Sequence, residues 1–120
     1  MEARKVFFNN WKKHVELQKD KSKCLYIDAR LSFDTLQILT IVGTDTYNQD
    51  RYEKEFLFSD EEADETVCSL KQTTFMACMI ASFIVNNVVN FCANEIVPMI
   101  KQLPFFIEYD CNMMYLKEED

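Results

Sequence analysis

The residues of this chain whose types and spacing could do chemistry gather at Thr66-Val67-Cys68-Ser69-Leu70-Lys71-Gln72. There a cysteine stands just before an uncharged stretch whose composition predicts a helix running to about Asn94. Ser69 followed three residues later by Gln72 reads as a capping box: the hydroxyl accepts a free backbone N–H of the first turn and Gln72 reaches back. Cys68 then lies one residue outside the helix. At that place the positive end of the helix dipole, together with Lys71, favours thiolate over thiol, so the expected chemistry is nucleophilic attack by sulfur. The acidic run Asp60-Glu61-Glu62-Ala63-Asp64-Glu65 works against it, because nearby carboxylates raise a thiol pKa. The plainer reading of the same residues is a half-buried structural cysteine near a helix start.

No other constellation competes strongly. His14 is the single histidine and sits in a lysine-bearing stretch, so a cysteine hydrolase would require His14 and Cys68 to meet across the fold with an orienting acid. A lone histidine on a basic helix is ordinarily exposed. Carboxylates are plentiful, but nothing in their spacing separates a catalytic pair from a solvated face. The five cysteines, at 24, 68, 78, 92 and 111, are odd in number and irregular in spacing. They contain no C-x-x-C pair. That pattern points to a reducing, cytoplasmic setting rather than a disulfide framework, and makes a structural zinc site unexpected.

Val67-Cys68-Ser69-Leu70-Lys71 resembles the Cys-Thr-x-Arg/Lys-x-x-Pro segment of ubiquitin-activating enzymes, with Ser69 at the Thr position and Lys71 at the basic one. The proline of that pattern would fall at Thr74, a departure. Leu25-Tyr26-Ile27-Asp28-Ala29-Arg30-Leu31 and Tyr52-Glu53-Lys54-Glu55-Phe56-Leu57-Phe58 are similar to the later part of the ThiF (HesA/MoeB/ThiF) adenylyltransferase family. Met1-Glu2-Ala3-Arg4 is similar to the segment that follows the strand ending the family's nucleotide site. The resemblance implies adenylation of the C-terminal carboxylate of a ubiquitin-like protein with ATP and Mg, followed by thioester formation. On that reading Cys68 is the thioester nucleophile and Lys71 its electrostatic helper.

Members of that family begin with a βαβ unit whose Gly-rich turn cradles the ATP phosphates, and side chains in that turn would block the approach. Gly43 is the only glycine in this chain, so neither a G-x-G-x-x-G turn nor a P-loop can be written from it. The resemblance therefore covers the C-terminal half of a ThiF-like domain, without the adenylation apparatus. A chain of this kind could be a fragment, a truncated gene product or one half of a split protein. It would be inactive alone, and no cofactor is expected to bind it. The alternative is a non-enzymatic protein-interaction or dimerisation module. Loss of half of a doubly wound fold exposes apolar surface, which chains hide by forming a homodimer or by meeting a partner chain that supplies the missing half. The acidic loop and Phe105-Phe106 are candidate contacts, with core packing the plainer account of the two phenylalanines.

Composition narrows the field further. A length of 120 residues fits one domain, and 48% hydrophobic residues with ten phenylalanines supply a core. A net charge of -7 argues against nucleic-acid binding, which needs clustered Lys and Arg. The N-terminus shows no apolar signal-peptide core. The uncharged interval from Lys71 to Glu95 is long enough to raise a membrane span. Against that, Asn86, Asn87, Asn90 and Asn94 with Ser82 form a polar stripe opposite Phe75, Met76, Met79, Ile80, Phe83 and Ile84. A helix packed on a sheet or at a subunit contact accounts better for it, with no membrane.

The elements that must position Cys68 follow from the same patterns. Residues 2–18 predict a helix with Val6, Phe7, Trp11, Val15 and Leu17 on its packing side. Cys24 to Leu31 and Leu36 to Val42 predict strands. Thr44 to Arg51 reads as a polar turn, Tyr52 to Phe58 as a short strand or a loop, and Glu95 to Ile100 as a further short helix. Phe105 to Asp110 predicts a third strand, continued by Met113 to Leu116, and residues 117–120 a disordered tail. The fold class is α/β: a small mixed or antiparallel sheet packed with a long central helix and an N-terminal helix, as a partial ThiF-like fold. Because the sequence lacks a phosphate cradle and carries net negative charge, titration calorimetry of the chain with MgATP is expected to show no saturable heat. A micromolar one-site isotherm would restore a nucleotide site.

Overall fold

A computed structural model describes residues 2–32, 34–57, 74–96 and 103–120. The fold is mixed α/β. Helix α1 (Glu2–Leu17) leads into a 3-10 turn at Lys21–Lys23, strands β1 (Leu25–Leu31) and β2 (Thr35–Val42), and helix α2 (Thr46–Arg51). A π-helical turn (Tyr52–Phe56), helix α3 (Thr74–Ile96) and strands β3 (Phe106–Asp110) and β4 (Tyr115–Glu119) complete it. The sheet order is β1-β2-β3-β4, with β3 antiparallel to both β2 and β4. Two compact units divide the chain: Met1–Tyr26 with Ile41–Glu65, and Ile27–Thr40 with Thr66–Asp120.

The first unit is organised by aromatic rings. Phe8 and Val15 are the buried residues of α1, and Trp11 between them completes an i, i+3, i+7 stripe. Phe8 meets Tyr52 edge-on at 4.6 Å and Tyr26 at 5.0 Å, and the two tyrosine hydroxyls hydrogen-bond at 2.9 Å. Such pairs add about 0.5–1.5 kcal/mol each beyond burial. Of the expected packing side, Trp11 and Val15 do face the core, whereas Val6, Phe7 and Leu17 are exposed and Phe8 takes their place. A lysine-rich helix leaves several apolar phases open, and the tyrosines select the one that includes Phe8. Glu53 pairs with Lys12 across the same unit. At the foot of α1, the Ser22 hydroxyl and then its backbone N–H donate to Asp20, holding that carboxyl below the usual 3.8.

Thr44 to Arg51, read from sequence as a turn, contains a helix instead. Asp45 caps α2 by accepting from the Asn48 N–H at 3.1 Å, and the Asn48 amide returns to the other oxygen of Asp45 at 2.6 Å. The residues after it are a π-helical turn, neither strand nor loop, and this turn seats Tyr52. Gly43 makes the approach to α2 feasible. A Cβ there would collide with the Lys21 carbonyl oxygen, so the chain's one glycine serves close backbone packing.

In the second unit α3 lies on one face of the sheet. Met76 packs with Leu36, Ile38 and Ile107, and around them gather Met79, Ile80, Phe83, Ile84 and Tyr109. The opposite face of the same strands buries Leu39 and Phe106, which are paired across β2 and β3. Phe105 and Phe106 are therefore core residues. Tyr109 and Leu116 are opposed across the β3–β4 ladder, while Glu108 faces Lys117, an oppositely charged cross-strand pair. Residues 117–119, expected as tail, form the second half of β4: their backbones complete the ladder to β3, which outweighs the solubility of their side chains. The turn before them is tied by the Asn112 and Met113 N–H groups to Asp110, and by the Asn112 amide to Asp34 at 2.9 Å.

A polar contact crosses this core. The Asn87 side chain, 1% exposed, donates to the Thr40 hydroxyl oxygen at 2.9 Å. Truncation by Asn87→Ala removes this bond and leaves a void, and should lower unfolding free energy by about 2–3 kcal/mol. Replacing both partners with apolar groups of similar shape, N87L with T40V, should fall within about 1 kcal/mol of the parent in urea denaturation.

Candidate interaction surface

Cys68 and Lys71, with Ser69, Gln72 and the acidic run from Asp60 to Glu65, lie outside the described residues. The described chain does place the other candidates. His14 is exposed on α1, Cys24 is buried and Cys111 is half-buried. Cys78 and Cys92, both on the long helix, are exposed. Among the described residues no three His, Cys, Asp or Glu side chains gather as metal ligands.

The reason Cys78 and Cys92 are exposed is the way α3 is rotated. Its buried residues are Met76 and Asn87, so the sheet side of the helix follows the row Met76, Ile80, Phe83, Asn87, Asn90 and Asn94. The expected inward apolar face holds for Met76, Met79, Ile80, Phe83 and Ile84, with Phe75 exposed, whereas Asn87, expected in the outward polar stripe, is buried. Asn87 points into the core because Thr40 satisfies its amide, and a buried polar group with a partner is tolerated.

What this rotation leaves outside is a second row: Phe75, Cys78, Ser82, Val85, Val89, Cys92 and Ile96, every one of them exposed. The steps between them alternate three and four. Val85 is 61% and Ile96 83% exposed, unusual for helix residues of their type. The Ser82 hydroxyl donates to the Cys78 carbonyl oxygen at 2.8 Å, so the one hydroxyl in the row is already satisfied within the helix. Two shallow depressions follow the row, one lined by Ala81, Ser82, Val85, Asn86 and Val89, the other by Cys78, Met79, Ser82, Phe83 and Asn86.

No ionisable group other than the two thiols occurs from Thr74 through Asn94, on a chain with net charge -7. By length and composition α3 could cross a membrane, yet its inner row forms part of a sheet-packed core. The outer row therefore presents a continuous uncharged apolar stripe. A surface of this kind does no chemistry by itself; its physical capacity is to exclude water against a second apolar surface. The sequence contained the signal in the alternating spacing of Val85, Val89 and their neighbours. It was masked by the asparagines: Ser82 and Asn86 lie outward as expected, but Asn87 does not.

No family model, curated protein or solved structure matches the chain.

Exposure predicts the order of thiol modification. In dilute protein at neutral pH, iodoacetamide should alkylate Cys78 and Cys92 roughly tenfold or more faster than Cys24, as read by peptide mass spectrometry over time. Equal rates for Cys24 and Cys78 would mean that α3 is rotated differently.

Proposed function

We propose that this chain is a non-enzymatic protein-interaction module that docks through the outer row of α3. The observation that carries the reading is the exposed, uncharged stripe from Phe75 to Ile96, held outward by the Asn87–Thr40 bond on the other side of the helix. An apolar stripe facing water costs solubility, and contiguous patches of this sort mark interaction sites. The free thiols of Cys24, Cys78, Cys92 and Cys111 fit a reducing, cytoplasmic setting.

The proposal also accommodates descent from a ThiF-like activating enzyme. A C-terminal half that has lost its nucleotide-binding partner half would keep a helix surface and lose adenylation. Gly43, engaged in packing against Lys21, offers no phosphate cradle. Cys68 and Lys71 remain the residues through which a thioester step would run, were a partner chain to supply the activated ubiquitin-like substrate.

Site-specific photocrosslinking in the producing cell tests the docking reading without assuming a partner. A benzophenone side chain at position 85 should give a discrete crosslinked species of higher mass, and one at Tyr47, exposed on α2, should not. Absence of any product at 85, or equal products at both positions, removes the proposal.

A further inference from the structure

We draw no further inference here: the strongest candidate, the outer edge of β4 at the end of the sheet, where Tyr115 and Leu116 are exposed, carries none because nothing in the structure shows what covers it.

Discussion

The rotation of α3 about its own axis is governed by one buried polar pair. Asn87 can be enclosed only where its amide finds a partner, and Thr40 on β2 is that partner. Leaving an amide unpaired in an apolar core costs about 1–3 kcal/mol, comparable to turning one valine toward water. Once Asn87 faces the sheet, helical geometry carries Met76, Ile80 and Phe83 inward with it. The same geometry sends Cys78, Val85, Val89 and Cys92 outward. The outer stripe is in this sense a consequence of polar satisfaction on the inner side, rather than of weak hydrophobicity on the outer one.

Much of the architecture was legible in the sequence. Strong periodic segments gave α1, β1, β2 and β3 within a residue or two of their bounds, because β-branched runs and amphipathic spacing are local properties. Three features were not legible, each for a physical reason. The helix at Thr46–Arg51 depends on Asp45 as its cap and on a short polar segment that propensity reads equally well as turn. Strand β4 is made of residues that favour solvent, and it exists because β3 offers it an unpaired backbone edge. The burial of Asn87 depends on a residue 47 positions away along the chain, which no window of local sequence contains.

The candidate chemistry divides in the same manner. Cys68 and Lys71 drew notice through local pattern and a partial family likeness, whereas the outer row of α3 emerges only when three-dimensional packing decides which side of the helix is free. Cysteines illustrate the difference well. Cys24 and Cys92 both sit in apolar sequence, yet one is enclosed beside Gly43 and the other stands in water. Composition around a thiol is a poor guide to its accessibility when the element that carries it has two apolar sides.

The sheet has a kinetic implication. β3 and β4 are joined by a short turn and β1 and β2 by another, so both hairpins close locally. Their union does not: Gln37 and Glu108, neighbours across β2 and β3, are 71 residues apart in the chain. Joining the hairpins requires closing a long loop, and non-local pairing of this kind is the slow event in folding. Helix α3 lies inside that loop and touches both hairpins through Leu36, Ile38 and Ile107. A preformed α3 would shorten the flexible part of that loop and offer each hairpin a surface to condense on.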